Sequence, residues 1–400
     1  MKTLFLAGAA AICLTGAAAQ AEEIKVGSVG GVTGPIADIV AEIMEGRALA
    51  AAQVNAQGGL LKGDTMTLVL ADSGCDPKAA VDAGSKVVNI EQVVGIVGPN
   101  CSGATNAMVQ SVTIPAGVVT ISESATAPSI TALEDKDLVF RVAPSDAYQG
   151  VALAQYVLDS GVSNVAVTWA NDDYNAGLGE VFVKAFQEKG GTIAASQVHE
   201  PNKASYRAEM ATLGGAGGEA LVMFAYYGSS GITLIRNALE TGAFTRFFGA
   251  DGMVDDEVIN QIGAENLTEA AFTAAGADDS SPSWAAYIAA AQEAGLANPT
   301  GPFVPNGYDA TFLMALAIEK AGSADRSLIS AALREVANAP GEVILPGEWE
   351  KAKALIAEGK DINYQGASGE IEFDAAGDVA GVYSLNTPQA DGSFKSVLLK

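Results

Sequence analysis

Gly98-Pro99-Asn100-Cys101-Ser102-Gly103-Ala104-Thr105 is the stretch from which the fold is read. The β-branched run 93–97 before it is too short for a helix and predicts a strand, whereas residues 104–109 favour a helix. The stretch is therefore a polar turn between a strand and a helix. It offers free backbone N–H groups, the Ser102 hydroxyl and the positive end of a helix dipole. Together these suit an anion such as a carboxylate.

A second copy of this pattern follows at once. The strand 118–121 leads into a hydroxyl-rich turn, Ser122-Glu123-Ser124-Ala125-Thr126-Ala127-Pro128. Two adjacent strand ends with polar turns predict one small-molecule cradle at the edge of a parallel sheet. The alternative is that Ser102 and Thr126 only cap their helices.

Strand and helix patterns alternate along the chain, which is typical of parallel α/β sheets. The alternation breaks at residues 140–144 and then resumes. We therefore predict two doubly wound lobes joined by three hinge crossings, near Arg141, Ala275 and Gly381. The N-terminal lobe is predicted at 22–142 plus 276–380, and the C-terminal lobe at 143–275 plus 381–400.

The pattern also predicts individual elements. The first lobe has strands at 24–29 and 66–71 and helices at 36–56 and 76–89. Further helices at 283–294, 307–321 and 326–338 return to this lobe. The second lobe has the helix 146–159 and strands at 164–169, 192–198, 220–225 and 246–249. The tail carries strands at 370–373 and 382–385. We expect surface loop and helix at 346–365, for which the sequence suggests no function.

Charge and length exclude several classes of protein. The chain has 400 residues and a net charge of −25. An acidic chain is a poor binder of nucleic acid or of anionic lipid, because both need a basic surface. The charge says little about the ligand.

The first 21 residues have the pattern of a secretory signal peptide. Lys2 precedes an Ala-rich apolar run, and Ala19-Gln20-Ala21 fits the small-x-small cleavage rule, so cleavage is expected after Ala21. A lipoprotein anchor at Cys13 is the competing interpretation, but Ile12 stands where a small residue is expected. Export predicts a periplasmic location.

Two cysteines, Cys75 and Cys101, remain after cleavage, and in an oxidising compartment a disulfide is their natural pairing. It would close a loop of about 25 residues and contribute roughly 3–4 kcal/mol in the chain-entropy model. A zinc site is the weaker alternative, because two thiols without histidines make a poor one.

Signals for catalysis are few. The single histidine, His199, is interpreted as a solvated loop residue, and HExxH, GxSxG, Walker A and GxGxxG motifs are missing. Catalysis by a Ser/Lys pair stays open. We predict a protein that is not an enzyme and uses no cofactor or metal.

The second lobe has polar residues at matching strand ends. Tyr174, Tyr226 and Tyr227 follow two strands, and Asp251 follows a third. One interpretation is that the tyrosines pack at a lobe interface and Asp251 forms a turn. The other is that Asp251 holds a cation through a charge-assisted hydrogen bond. A ligand with both charges would then bridge the lobes.

The sequence resembles the leucine/isoleucine/valine-binding family of periplasmic substrate-binding proteins, which serve ABC importers and have the type 1 periplasmic binding fold. The resemblance covers nearly all of the mature chain. It rests on five motifs: Ile24-Lys25-Val26-Gly27 with Thr33-Gly34-Pro35; Cys75-Asp76-Pro77-Lys78 with Cys101-Ser102; the 122–128 turn; Phe140-Arg141 with Asp146; and Asp173-Tyr174-Asn175-Ala176-Gly177.

The resemblance implies roles for individual residues. Ser102, Ser124, Ala125 and Thr126 would bind the ligand carboxylate or ammonium through hydroxyls and backbone groups, and Asp251 would bind the ammonium. The resemblance places Tyr174 and Tyr227 over the ligand, Phe303 in its side-chain pocket and the disulfide at the two cysteines. Three departures stand out, which are Ile39 in place of an aromatic residue, Asn100 in place of an apolar one and Asp251 in place of glutamate. Asn100 would then contact the ligand in a larger or more polar pocket.

The sequence thus predicts a monomeric periplasmic receptor for an amino acid, branched-chain or related, that docks on an inner-membrane ABC permease. One rival is a receptor of the same fold for a non-amino ligand such as an aromatic acid or amide. Another is a sensor that reports to a signalling partner.

Overall fold

A computed structural model describes residues 21–399. Cys13 and the first 20 residues of the predicted signal peptide lie outside the described residues. Two large sheets organise the described chain. The first has five parallel strands in the order β2-β1-β3-β4-β5. Its strands are β1 (Glu23–Gly30), β2 (Thr65–Asp72), β3 (Gly95–Val97), β4 (Val119–Ser122) and β5 (Val139–Arg141).

The second sheet repeats this order and adds an antiparallel edge. Its parallel part runs β7-β6-β8-β9-β10, which is the same doubly wound pattern, and β13 and β14 extend it in antiparallel fashion. The strands are β6 (Asn164–Ala170), β7 (Thr192–His199), β8 (Ala220–Phe224), β9 (Phe247–Gly249), β10 (Ala271–Gly276), β13 (Val382–Pro388) and β14 (Phe394–Leu398).

A small parallel pair, β11 (Glu342–Ile344) and β12 (Ile362–Tyr364), forms a third sheet beside the first. The region predicted as surface loop and helix therefore contains a strand. It also contains the fully buried side chain of Trp349, which packs edge-on against Phe312.

The helices cover the faces of the two large sheets, and their apolar sides form the cores. Those near the first sheet are α1 (Ala37–Ala56), α2 (Pro77–Asn89), α3 (Ser102–Met108), α4 (Ile114–Ala116), α5 (Pro128–Thr131), α11 (Pro282–Ala294), α12 (Val304–Ala321), α13 (Arg326–Ala337) and α14 (Trp349–Ala357). Those of the second are α6 (Asp146–Asp159), α7 (Asp173–Glu188), α8 (Arg207–Gly215), α9 (Ile232–Thr241) and α10 (Asp256–Ile262). No helix among residues 21–399 is both long and apolar enough to cross a membrane.

Short polar residues fix where several helices begin. Asp76 caps α2 by accepting a hydrogen bond from the Ala79 N–H, with Pro77 in the first turn. Asp172 caps α7 and Ser281 caps α11 in the same way. These caps satisfy N–H groups that lack intrahelical acceptors, so the chain turns sharply after each strand.

The chain passes between the two sheets at 142–145, 277–281 and 380–381, close to the three predicted crossings. Arg141, at the end of β5, binds both carboxylate oxygens of Asp378 at 2.7 and 2.6 Å. The guanidinium also donates to the Ala127 carbonyl at 3.0 Å. One buried arginine thus ties the first crossing to the segment that leads into the third.

Two expectations from the sequence were wrong. Residues 370–373 do not form a strand beyond one bridge between Gln365 and Glu370, because Ile371 and Phe373 are anchors in the core instead. The strand β13 pairs instead with β10 and with β14, and the pattern missed β14. His199 is not a solvated loop residue, since it is 2% exposed at the end of β7.

Candidate ligand-binding cleft

The carboxyl ends of the strands in both sheets face each other across a cleft. In an open α/β sheet ligands bind outside these ends, where the strand order reverses. Ile36 follows β1, Asn100 follows β3 and Ser124 follows β4, while Tyr174, Tyr226 and Asp251 follow β6, β8 and β9. The six residues line one cavity together with Ile39, Ile43, Gly252 and Phe303.

The turn after β3 is fixed by close backbone packing. Gly98 has φ +95°, and a Cβ there would lie 1.9 Å from the Val29 carbonyl oxygen, so only glycine fits. Asn100 follows, with its Oδ1 accepting from the Gly31 N–H at 3.1 Å and its Nδ2 donating to the Glu123 carboxylate. The turns after β1, β3 and β4 are therefore joined by one amide side chain.

Beneath these turns lies a fully buried ion pair between Arg47 and Glu123. Arg47 also donates to Ser28 Oγ at 2.8 Å and to the Val29 carbonyl at 3.1 Å. Burial raises the pKa of Glu123, and the adjacent guanidinium opposes that rise. The turns after β1, β3 and β4 form the N-terminal wall of the cleft. The ion pair contacts these turns on the side away from the cavity and holds them in place.

Three hydroxyls predicted to bind ligand have different partners. Ser102 Oγ accepts from the Ala127 N–H at 3.1 Å, and within residues 21–399 its own proton has no acceptor. Ser124 Oγ donates to the Asn100 carbonyl at 3.2 Å, and Thr126 Oγ1 donates to Asp146 at 2.9 Å. Of the three hydroxyls, only that of Ser102 has a proton without an acceptor within residues 21–399.

The segments after β6, β8 and β9 form the C-terminal wall of the cleft, and Asp251 lies at its centre. Its Oδ1 accepts from Gln149 Nε2 at 2.8 Å and from the Tyr174 hydroxyl at 3.0 Å. Tyr174 stacks on Tyr226 with ring centroids 5.1 Å apart, which fixes the hydroxyl in place. Burial raises the pKa of the Asp251 carboxyl, and the two hydrogen bonds oppose the rise.

A second buried carboxyl, Asp146 at the start of α6, lies near Asp251. Burial and the Asp251 charge raise the pKa of Asp146 well above its ordinary value, while Arg141 opposes the rise. Within residues 21–399 no basic side chain forms a salt bridge with either carboxyl, since Arg141 pairs with Asp378. This wall therefore favours a cation.

The structure brings five of the nine predicted ligand residues into the cavity lining, and four lie beside it. Asn100, Ser124, Tyr174, Asp251 and Phe303 line the cavity, whereas Ser102, Ala125, Thr126 and Tyr227 do not. The Tyr227 hydroxyl reaches Asp38 Oδ2 at 3.3 Å, and Tyr226 takes the place beside Tyr174. Sequence reasoning named Tyr226 at the strand end but left it out of the site, and it missed Gln149 and Ile36.

The two walls touch directly at several points, so the structure is closed. The Gly228 N–H donates to the Pro35 carbonyl at 3.2 Å, and a Cβ on Gly228 would lie 2.5 Å from that oxygen. Asn106 Nδ2 donates to Asp173 at 2.9 Å. Each contact joins a segment that follows a strand of the first sheet to a segment that follows a strand of the second sheet.

Cys75 and Cys101 form a disulfide with Cα atoms 5.4 Å apart, as predicted. It links the segment after β2 to the residue that precedes α3. Because Cys101 follows Asn100 and precedes Ser102, the bond holds the central turn of the N-terminal wall.

A family model described as the receptor family ligand binding region matches residues 43–390. The leucine-, isoleucine-, valine-, threonine- and alanine-binding protein of Pseudomonas aeruginosa is 31% identical over 315 residues, covering 78% of this chain and 83% of that protein. The chain belongs to the leucine/isoleucine/valine-binding family of type 1 periplasmic binding proteins.

Solved structures share the fold of this family. A leucine-binding protein from Thermotoga maritima superposes with a TM-score of 0.79 at 24% identity, covering 94% of this chain and 99% of that one. A solute-binding protein of an ABC transporter from R. palustris, solved with benzoate, gives 0.75 at 18% identity, covering 94% and 96%. The family's fold is therefore seen with ligands of different chemistry.

Proposed function

We propose that the protein is a periplasmic receptor that binds an amino acid with an aliphatic side chain in the cleft and delivers it to an ABC importer. The observation that carries the proposal is the Asp251 carboxyl, which is buried and lacks a basic partner within residues 21–399, opposite the Ser102 turn. Membership of the family supports the proposal, as does the relative from Pseudomonas aeruginosa, whose name gives aliphatic amino acids and threonine as its ligands.

The two ends of an amino acid match the two walls. The ammonium would donate to Asp251, whose Oδ1 is held in place by Tyr174 and Gln149. The carboxylate would accept from the Ser102 hydroxyl and from N–H groups in the first turn of α3, which have no intrahelical acceptors. Ser124, Ala125 and Thr126 would flank this cradle, with the hydroxyl protons of Ser124 and Thr126 already bonded to the Asn100 carbonyl and to Asp146.

Four apolar side chains also line the cavity. Ile36, which immediately precedes the first helix, lines the cavity together with Ile39 and Ile43 on that helix and with Phe303. Ile36, Ile39 and Phe303 are each at most 7% exposed and Ile43 is fully buried, so a side chain placed among them leaves water completely. Burying a valine, leucine or isoleucine side chain contributes about 1.5–3 kcal/mol, which favours a branched-chain ligand over a polar one.

Binding would drive closure of the two lobes. A ligand that touches Asp251 on one side and the Ser102 turn on the other gains both contacts only when the walls approach each other. Ligands shift such an equilibrium by their differential affinity for the closed state. The 22–142 plus 276–380 and 143–275 plus 381–400 lobes would be the moving bodies, and the closed form would dock on the permease.

The test is the substitution Asp251→Asn, which keeps the size of the side chain and removes its charge. We expect leucine affinity, measured by isothermal titration calorimetry, to fall at least about 30-fold, because a buried charge pair lost on binding costs about 2–5 kcal/mol. Thermal stability of the free protein should not decrease.

Asp159→Asn is the matched control, since Asp159 is exposed on the same lobe and lies outside the cleft. It should bind as the unmodified protein does. Equal leucine affinity in Asp251→Asn and Asp159→Asn would refute the role of Asp251.

An aromatic acid is the second candidate ligand. It is favoured by the solute-binding protein of this fold from R. palustris, which was solved with benzoate. Burial, which raises the pKa of the Asp251 carboxyl, also disfavours the charged form that would repel a carboxylate. A thermal-shift screen of amino acids and benzoates separates the two candidates. A ligand at a hundred times its Kd stabilises the fold by about 2.7 kcal/mol, which raises the melting temperature measurably. If only benzoates raise the melting temperature, an aromatic acid and not an amino acid is the ligand.

A further inference from the structure

A second and much larger cavity opens beside the ligand cleft. This side chamber has a volume of about 1090 Å³ and lies between α1 and the loop before α12 on one side and α10 and β14 on the other. Ile39 and Phe303 belong to the linings of both cavities, so both side chains form part of the wall between them. Phe303 holds the wall with φ +61°, immediately before α12.

Acidic side chains from both lobes line the side chamber. They are Asp38, Glu42, Asp255, Asp256, Glu257 and Asp279, and the described lining contains no lysine, arginine or histidine. Burial raises the pKa of Glu42, and the charges of Asp255, Glu45 and Asp256 raise it further. The pKa of Asp255 is likewise raised by burial and by its acidic neighbours. The carboxylates therefore repel one another, and no basic side chain of the described lining compensates their charge.

Buried amides add hydrogen-bond acceptors to this lining. Asn306 is 6% and Asn386 is 5% exposed, and both line the side chamber. Each uses its Nδ2 within the protein, Asn306 toward the Val142 carbonyl at 2.7 Å and Asn386 toward the Phe272 carbonyl at 3.3 Å. Within residues 21–399 neither Oδ1 has a donor. These amide oxygens have no donor in the described part of the chain and line the side chamber, so they can accept hydrogen bonds from a ligand with N–H groups.

The remaining lining distinguishes an organic cation from a metal ion. No group of three or more histidine, cysteine, aspartate or glutamate residues among 21–399 has the geometry of a metal site. Trp284, Phe394 and Leu398 supply apolar and aromatic surface instead. Aromatic faces attract ammonium and guanidinium groups, and apolar walls accept an alkyl chain.

We propose that the side chamber binds the ammonium or guanidinium end of an aliphatic organic cation. Two sources fit this chemistry. One is the basic side chain of an amino acid whose α-carbon end lies in the ligand cleft, with its chain passing Ile39 and Phe303. The other is a separate alkyl cation that binds beside the cleft ligand. The first source rests on the proposed function, whereas the second does not.

The experiment measures binding of lysine, norleucine, leucine and butylammonium to the mature chain by isothermal titration calorimetry. Norleucine has the alkyl chain of lysine without the second ammonium, so the pair isolates the charge. Butylammonium is titrated with and without saturating leucine. The variant is Glu42→Gln with Asp255→Asn, which keeps the Asn298 contact of residue 42 and a capping residue before α10. Glu180→Gln on the exposed face of α7 is the control for charge.

If the side chain is the source, lysine should bind at least tenfold tighter than norleucine, and the double variant should abolish the difference. If a separate molecule is the source, butylammonium should bind in the presence of leucine and lose at least tenfold affinity in the double variant. Either cation should bind more weakly as salt rises, a measurement on the unmodified chain that holds even if the variant fails to fold.

Lysine no tighter than norleucine, together with no salt-sensitive butylammonium binding, would overturn the proposal. Leucine and norleucine binding reports on the proposed function independently. If these bind and no cation does, only the side-chamber proposal fails. If butylammonium binds and no amino acid does, the proposed function fails and the side chamber keeps its ligand.

Discussion

The two walls of the cleft solve the problem of buried charge in opposite ways. The N-terminal wall pairs Arg47 with Glu123 and surrounds the pair with hydrogen bonds from Asn100 and to Ser28. The C-terminal wall buries Asp146 and Asp251 near each other with hydroxyl and amide donors but no salt bridge within residues 21–399. The N-terminal wall is therefore complete in charge, whereas the C-terminal wall is incomplete in charge, and we propose that a cationic group of the ligand completes it.

This difference predicts which substitutions harm the fold and which harm binding. A complete wall loses stability when one partner is removed, because the other charge is left buried. An incomplete wall tolerates neutralisation, because removing a charge there removes a repulsion. Stability and affinity should therefore separate along the cleft.

The largest effect is expected from Arg47→Met, which leaves Glu123 buried without its cation. We expect the free energy of unfolding to fall by about 3–5 kcal/mol, measured by urea denaturation at pH 7. Replacing both partners, as in Arg47→Met with Glu123→Leu, should restore much of the loss.

The control for this substitution is Arg207→Met, which breaks the exposed pair with Glu240 on the other lobe. An exposed pair contributes about 0–1 kcal/mol, so this variant should remain near the unmodified protein. Equal losses in the two variants would show that the buried pair does not brace the N-terminal wall.

The N-terminal wall also shows what a sequence can and cannot predict. The turn around Asn100 can be predicted from the sequence because a strand, a glycine, a hydroxyl side chain and a helix follow one another within about a dozen residues. The Arg47–Glu123 pair spans 76 positions and joins a helix to a turn. Charged residues in such elements are usually solvated, so only the three-dimensional arrangement shows them to be buried partners.

The C-terminal wall was harder to predict for a different reason. Tyr226 and Tyr227 are neighbours at the end of β8, and the backbone turns into a π-helix over Tyr227–Gly231. Strand alternation ends there, so the sequence does not show which ring enters the cleft. The tail strand at 370–373 failed similarly, because an alternating apolar pattern also fits an irregular segment that anchors Ile371 and Phe373 in the core.

The next largest effect sharpens the comparison within the C-terminal lobe, whose single histidine is kept neutral. Thr168 Oγ1 donates to the Gln197 carbonyl, so it accepts from His199 Nδ1 at 2.8 Å, and the Ser230 hydroxyl lies 2.9 Å from Nε2. Burial lowers the pKa of His199 to about 4 from its ordinary 6.5. The folded lobe therefore binds the proton less readily than the unfolded chain does.

The sign of the pH dependence follows from this lowered pKa. Above pH 6.5 both states are neutral and His199 has no effect. As the pH falls from 6.5 to 4 only the unfolded state gains the proton, so stability should decrease by about 3 kcal/mol in total. Urea unfolding at pH 7, 5.5 and 4 should show this component in the unmodified protein and not in His199→Gln. Parallel pH profiles for the two proteins would contradict the prediction.

The smallest effect tests how far the N-terminal wall is complete. Ser102 is 1% exposed, and its Oγ accepts from the Ala127 N–H while its proton lacks an acceptor within residues 21–399. Ser102→Ala should weaken leucine binding by about 1–3 kcal/mol, because the ligand carboxylate loses a buried donor. Ser124→Ala removes a hydroxyl whose proton is already bonded to the Asn100 carbonyl, so its effect on affinity should be smaller. Titration calorimetry of both variants decides between them, and an equal or larger loss in Ser124→Ala would mean that the free donor of this wall lies elsewhere than Ser102.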